Sequence, residues 1–345
     1  MSNHKSKNPI AVLGIDLAKK SFQLHGVDSS GKTVLRKKLA RKNLSDFVAQ
    51  LPVCTIGLEA CGGAHYWTRV FRSFGHTVHI IAPQFVKPFV KSNKNDVADA
   101  EAICEAIQRP SMRFVPAKSV EQQDIQSLHR VRSQAVARRT AQSNQIRGLL
   151  MEYGVIVPKG VVHVRKSIPL ILEDASNELT PMFRELLSEL YDEVLHLDNR
   201  ISAIERKLEA ICRESEDCQR LLTVPGIGLL SATALIAAIG DIRVFKNGRE
   251  LAAWLGLVPR QHSTGGKPTL LGISKRGDTY LRTLLIHGGR TVVRVADKHQ
   301  DRRSQWITNT EARRGKNITA VAVANKKARV AWAILTNKAV YQTAA

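Results

Sequence analysis

Acid is scarce in this chain. Only 30 of its 345 residues are Asp or Glu, against 52 Lys and Arg, which leaves a formal net charge of +22. An imbalance of that size calls for a polyanionic partner, either nucleic acid or an anionic membrane surface. Long apolar runs are also missing, and the most apolar stretch, "ITAVAVANKKARVAWAIL", is interrupted by Lys326, Lys327 and Arg329. A membrane span is therefore excluded and nucleic acid is favoured. The opening residues "MSNHKSKNP" lack the apolar core of a signal peptide, so a cytosolic, nucleoid-associated protein is expected. Five cysteines without a CxxC spacing, and histidines without an HxxxH partner, argue against a zinc site or a disulfide framework.

What is present reads as a globular chain, 43% hydrophobic, long enough for two or three domains. "PIAVLGIDLA", "SFQLHGVD", the turn signal "SSGK" and "TVLRKKLA" predict a three-strand meander. "NLSDFVAQL" reads as a helix, "CTIGLEA" as a buried strand, "GAHYWTRVFRSFG" as a helix closed by Gly75, and "HTVHIIAP" as a strand stopped by Pro83. Three antiparallel strands followed by alternating helix and strand suggest an α/β ribonuclease-H-like domain over residues 8–115.

The middle, residues 116–218, reads as helical. After Thr180 and Pro181, an N-cap and first helical position, apolar residues recur in 3-4 spacing at Leu187, Leu190, Val194, Leu197, Ile201, Ile204, Leu208 and Ile211. This seam predicts a coiled coil, either a hairpin within the chain or a dimerising arm. From residue 219 onward a mainly α C-terminal domain is expected. Its "LLTVPGIGLLSATALIAAIGD" resembles a helix-hairpin-helix, with Gly226 and Gly228 placed to let backbone amides approach a phosphate; plain helix punctuation would give the same pattern. Residues 246–316 hold 15 Lys and Arg against 5 Asp and Glu, the densest basic stretch.

Against that background the few acids in apolar surroundings stand out. Asp16 follows "AVLGI" in the first strand, and Glu59 lies within "IGLEA". A carboxylate in an apolar strand is costly unless paired, hydrogen-bonded or bound to metal. Asp96 and Asp99 lie at i and i+3, on one face of a helix. Alone, that pair also fits the first turn of a helix capped by Asn93 or Asn95. Taken with Asp16 and Glu59 it completes a set of four hard oxygen donors of the kind that holds Mg2+ at a phosphodiester.

"GIDLAKKSFQLHGVD", "GLEACGGAHYW", "KNDVADAEAI", "VPGIGLLSATALIAAIGD" and "LGLVPRQHSTGGKPTLLGISKRGD", in that order, resemble the IS110 family of insertion-sequence transposases, in its IS1111 subgroup, with Piv-type DNA invertases as relatives. The resemblance runs over nearly the whole chain. It implies a RuvC-like DEDD site at Asp16, Glu59, Asp96 and Asp99 holding Mg2+ or Mn2+, two ions by expectation. It further implies a nucleophilic serine in the loop "RQHSTGG", mapping to Ser263, and a covalent protein–DNA intermediate resolved by strand exchange. A homo-oligomer, dimer or tetramer, with composite active sites and a structured guide RNA encoded by the element also follow from the resemblance alone.

Read without it, Ser263 sits in a flexible Gly-Gly loop that either delivers a hydroxyl to a phosphate or is an ordinary surface turn. Thr264, Thr269 and Ser274 are neighbouring hydroxyls, and His262 is an adjacent base candidate. Arg260, Lys267, Lys275 and Arg276 would offset phosphate charge, and Lys94 would contact a DNA backbone beside the acids. Three functions compete: a transposase working through phosphoserine, a junction-resolvase-like nuclease that uses activated water, and a non-enzymatic nucleic-acid scaffold.

Overall fold

The computed structural model describes residues 9–91 and 95–342. Lys94 lies outside them. The chain divides into two compact units, residues 1–119 and 120–345.

The first unit is built on a six-stranded sheet in the order β3-β2-β1-β4-β5-β6. β1 (Val12–Leu17), β2 (Ser21–Val27) and β3 (Thr33–Ala40) form the antiparallel meander. β4 (Thr55–Glu59) and β5 (Thr77–Ile81) join β1 in parallel, and the short β6 (Phe114–Val115) closes the far edge antiparallel to β5. β3 is an edge strand carrying exposed Arg36, Lys37 and Lys38, charges that discourage pairing with another chain.

α1 (Arg41–Ala49) and α2 (Ala64–Ser73) share a core with Leu13, Ile15, Ile56 and Leu58 on one face of this sheet. There Trp67 meets Phe22 edge-on at 5.4 Å. The short α3 (Pro83–Val86) and the longer α4 (Asp96–Ile107) pack with Val12 and Ile81 on the other face. Strand periodicity puts Gly14, Asp16, Gly57 and Glu59 on this second face.

Space for α4 depends on two missing side chains. A Cβ on Gly14 would stand 2.3 Å from the Ala100 carbonyl oxygen and 2.6 Å from the Cys104 nitrogen. One on Gly57 would press on Ile103 at 3.0 Å. The helix therefore lies against bare backbone of two adjacent strands, closer than any side chain would allow.

The second unit is mainly helical. α5 (Val120–Glu152) and α7 (Pro181–Glu214) form a long antiparallel hairpin, with α6 (Val161–Glu173) against its tip. Arg132 pairs with Glu205 and Arg139 with Asp198, each at 2.6 Å, and the opposed numbering fixes the antiparallel sense. Burial opposes charge on Asp198, but hydrogen bonds from Arg165 and Arg139 hold its pKa below the usual carboxylate range.

Leu187, Val194, Ile201, Ile204 and Leu208 of the expected seam are buried inside this unit. The chain's own α5 and α6 cover that face, so within one chain the seam forms a hairpin. The remaining elements are α8 (Glu216–Leu222), α9 (Leu229–Ile239), α10 (Gly248–Trp254), the two-stranded β7 (Pro259–Thr264) and β8 (Lys267–Ile273), α11 (Thr279–Val295), α12 (Arg302–Arg314) and α13 (Lys316–Asn337). The helical middle and the C-terminal segment thus belong to one compact unit.

A buried histidine helps join them. His129 of α5 lies with Nδ1 2.9 Å from the Tyr280 hydroxyl and Nε2 3.0 Å from Thr233 Oγ1. Thr233 spends its own proton on the Leu229 carbonyl. It therefore accepts from Nε2–H, which leaves Nδ1 to accept from Tyr280. Burial, aided by the Arg132 charge, pushes His129 down to about 4.

Two outcomes follow. Gly14→Ala should cost about 1–3 kcal/mol in a denaturant titration and shift α4 off the sheet, read as faster amide exchange over residues 96–107. Because His129 binds its proton more weakly folded than unfolded, its contribution is complete above about pH 6.5 and is lost as pH falls through about 4. That contribution is about 3 kcal/mol, and His129→Gln should flatten the slope of stability against pH in this window.

Candidate active site

Asp16 and Glu59 occupy the carboxyl ends of neighbouring parallel strands. The register pairs Ile15 with Leu58, so the two acids come next in step, half-buried, on the face that carries α4. Cys61 reports their charge. Its Sγ donates toward the Leu17 carbonyl at 3.7 Å, and its thiol is pushed up to about 11, first by desolvation and then by Glu59 and Asp16.

The helix brings its acids to the same end. Gly14 meets α4 at Ala100 and Cys104. Two strand residues further along, about 6.6 Å, correspond to about four helical residues, which places the first turn of α4 opposite Asp16. Asn95 starts that turn, its side chain accepting from the Ala98 amide at 2.8 Å. Asp96 is exposed and Asp99 half-buried. Both favourable roles of an acid at a helix start are available here, complementing the dipole and facing outward to a ligand. Among the described residues, no three Asp, Glu, His or Cys side chains come close enough to hold one ion. The strand pair is side by side, and the helix pair stands at the same end of the sheet without closing on it. The donor set is all carboxylate oxygen, which suits a hard divalent cation and not a soft one.

Ser263 belongs to the second unit, and its setting differs from the expected flexible loop. It is in β7, paired across the ladder with Pro268, and only Gly265 and Gly266 form the turn. Both have positive φ, +57° and +77°, the combination a tight two-residue hairpin needs and Gly supplies without strain. That geometry converts "RQHSTGG" from loop to hairpin. The whole of residues 259–272 is exposed, and the Ser263 hydroxyl accepts from Gln261 Nε2 at 2.7 Å. His262 stands opposite Thr269 at the preceding rung, so its side chain leaves the strand on the face opposite to Ser263 and the expected base is not brought to the hydroxyl.

The basic residues cluster at and below this hairpin. Arg260 and Lys267 are exposed on its two strands. Lys275 and Arg276 follow β8 where the chain crosses beneath the end of α10. There Lys275 N–H donates to the Gly256 carbonyl at 3.1 Å, and Lys275 takes φ +54°, unusual for a non-glycine. Gly226 and Gly228 lie in the turn between α8 and α9. A Cβ on Gly226 would stand 2.5 Å from the Gly288 carbonyl oxygen, so its smallness serves packing on α11. Gly228 is exposed, immediately before α9. Cys61 was not singled out from the sequence, although it sits two residues beyond Glu59 on the turn that leaves β4.

No helix among the described residues is long and apolar enough to cross a membrane. Residues 13–155 match the model of a DEDD transposase domain of IS110 type, and residues 218–305 match that of the transposase IS116/IS110/IS902 family. Similar chains include a "probable family 20 transposase" of Pseudomonas aeruginosa, 53% identical over 96% of this chain and 98% of its own length. The transposase for insertion sequence element IS1111A of Coxiella burnetii is 47% identical over 99% and 94%. That for IS1328 of Yersinia enterocolitica is 42% identical over 96% and 98%. A chain matched by both models and aligned almost end to end with these relatives is an enzyme of the IS116/IS110/IS902 transposase family.

Proposed function

We propose that this transposase cuts and rejoins the DNA of an insertion sequence with a carboxylate-held metal site and a serine nucleophile. The observation that carries the reading is the placement of Asp16 and Glu59 side by side on adjacent strands, with the acidic first turn of α4 at the same end. The strand order of the sheet, with the third, second, first, fourth and fifth strands in succession, supports a ribonuclease-H-like domain. The α8–turn–α9 segment supports a helix-hairpin-helix-like contact in which Gly228 is the exposed glycine.

Asp16, Glu59, Asp96 and Asp99 would hold Mg2+ or Mn2+, and such ions, when bound, neutralise the attacked phosphate and the leaving oxygen. The protein's own contribution is then to orient and to attack. Ser263 Oγ forms a bond to phosphorus as the bond from phosphorus to one deoxyribose oxygen breaks. The serine proton leaves to a base or water at the attacked phosphate, and the departing deoxyribose oxygen gains a proton; His262, next to Ser263 but on the other face of the strand, is not placed to take that proton. Arg260, Lys267, Lys275 and Arg276 offset the charge of the DNA backbone around the hairpin, and Lys94, which precedes the acidic turn in sequence, would add to that role. Rejoining reverses the step with a different deoxyribose hydroxyl as nucleophile. In this reading residues 8–115 are the RuvC-like domain, residues 116–218 a helical arm and residues 219–345 the serine-bearing domain. Two DNA partners require a homo-oligomer. A structured RNA encoded by the element would select the DNA, a role supported by the family and compatible with the +22 charge.

Incubation with element-end DNA and Mg2+ should give a protein–DNA adduct that survives denaturation, and Ser263→Ala should abolish it. Free cleaved ends from Ser263→Ala would instead establish the nuclease that uses activated water. Asp16→Asn should lower cleavage by at least about 100-fold while retaining DNA binding in a gel-shift assay. Undiminished cleavage by Asp16→Asn would overturn the metal reading, and full activity of both variants would leave only a scaffold.

A further inference from the structure

The C-terminal helices enclose a cavity of about 440 Å3 that none of the roles above uses. Its walls come from α12, α13 and the segment after α13: Arg302, Arg303, Trp306, Lys326, Lys327 and Tyr341, over a floor of valine and isoleucine. Four cations and two aromatic rings line it, and no acidic side chain does so among the described residues. The volume falls within the roughly 300–1,000 Å3 of small-molecule sites.

The polar groups here are built in rather than spread over a surface. Lys327 is 5% exposed, and its Nζ donates to the Gly226 carbonyl at 2.9 Å, which leaves two of its three protons for another acceptor. Burial, with the Arg303 charge as a second cause, brings Lys327 down to about 7; an anion beside it would reverse that cost. Arg303 Nε is buried without a hydrogen-bond partner. The Asp301 carboxylate is 4.0 Å from it and already accepts from the Arg303 and Ser304 amides and the Ser304 hydroxyl in capping α12. Both rings are held by cations, Lys326 lying 4.4 Å from the Trp306 centroid and Arg303 5.8 Å from that of Tyr341.

Anionic and planar aromatic recognition are thus combined in one apolar-floored recess. A free phosphate would use the cations and leave the rings and floor without a role, whereas an apolar ligand would strand a buried lysine and arginine. A nucleotide uses both, its base against Trp306 or Tyr341 and its phosphate at Lys327 and Arg303. The base of a duplex is stacked and paired, so the occupant must be unpaired. We infer that this cavity binds one unpaired nucleotide of a single-stranded nucleic acid segment, with Trp306 and Tyr341 as the stacking platform and Arg302, Arg303, Lys326 and Lys327 as the phosphate cradle. The inference stands apart from the carboxylate and serine reading, because none of these residues belongs to it.

The test compares binding of the full chain to a short single-stranded oligonucleotide and to the same strand made abasic, by fluorescence anisotropy, in deoxyribose and ribose series. The strand with bases should bind about tenfold tighter than the abasic one. Tyr341→Ala and Trp306→Leu should each reduce that ratio toward one, while Arg302→Ala weakens both strands alike and lowers the salt dependence. A preference in either series supports the site and identifies the sugar it takes. Should Trp306→Leu fail to fold, Tyr341→Ala and photo-cross-linking of a 5-iodouracil strand to the unaltered protein decide. Adducts mapping to residues 302–306 or 326–341 support the inference. An unchanged ratio in Tyr341→Ala, adducts confined elsewhere, or inorganic phosphate competing as well as a nucleoside monophosphate would overturn it.

Discussion

The approach of α4 to the sheet is the constraint on which the first unit turns. A helix normally stands off a sheet by the thickness of two layers of side chains. Here Gly14 and Gly57, on adjacent parallel strands, remove one of those layers. Two consequences follow from a single cause. The buried side of α4, with Ala100, Ala102, Ile103 and Ala106, seals the apolar core, and its first turn is drawn toward the strand ends where Asp16 and Glu59 emerge. Acid-rich and apolar requirements are met by one helix because its two ends do different work. Asp16 and Glu59 lie half-buried at the carboxyl edge of the sheet, where solvent or a cation can reach them.

The second unit rests on a different device. Its long hairpin carries Arg132, Arg139 and His129 on α5, and each is committed to a partner from another helix. Buried polar contacts of this kind gain little net stability but fix which helices are neighbours and in what register. His129 shows the cost of that role, since holding it neutral between a tyrosine and a threonine makes the unit sensitive to acid.

Much of the sheet was legible in the sequence because its strands carry period-two or continuous apolar runs punctuated by Gly, Pro and Asp. β6 was not, being two residues long with no periodicity to detect. The heptad seam is legible as a seam but not as to its partner: α5 is rich in Gln, Arg and Ala, and its buried residues are His129, Ala135, Ser143, Ile146 and Leu150, with no apolar repeat among them. Asp16 and Glu59 were conspicuous because acids inside apolar runs are expensive. Asp96 and Asp99 could not be separated from a capped helix start, and the structure shows that Asn95 does cap it. For Ser263 the Gly-Gly pair is compatible with either a free loop or the turn of a hairpin, and the pairing of β7 with β8 makes it the latter. The cavity has no local signal, since its walls come from separate segments around residues 302–306, 326–327 and 341 whose Lys and Arg look like any other part of a basic chain.

Chemistry places its own demand on how these parts work together. A serine hydroxyl held only by an amide, on a fully exposed hairpin, has neither the desolvation nor the charge that would make it attack a phosphate unaided. The carboxylate face has a different character, with Asp16, Glu59 and the acidic first turn of α4 at one end of a sheet. Neither feature is complete as a catalytic centre. In the proposed reading one would supply a nucleophile amid Arg and Lys, and the other a cradle for a cation that lowers the charge of the phosphate. An exposed two-stranded arm would suit a nucleophile delivered to a site formed elsewhere, because its short Gly-Gly turn fixes Ser263 relative to the strands without requiring a buried contact. A hydroxyl left unactivated until delivery would also be kept from reacting with DNA at random.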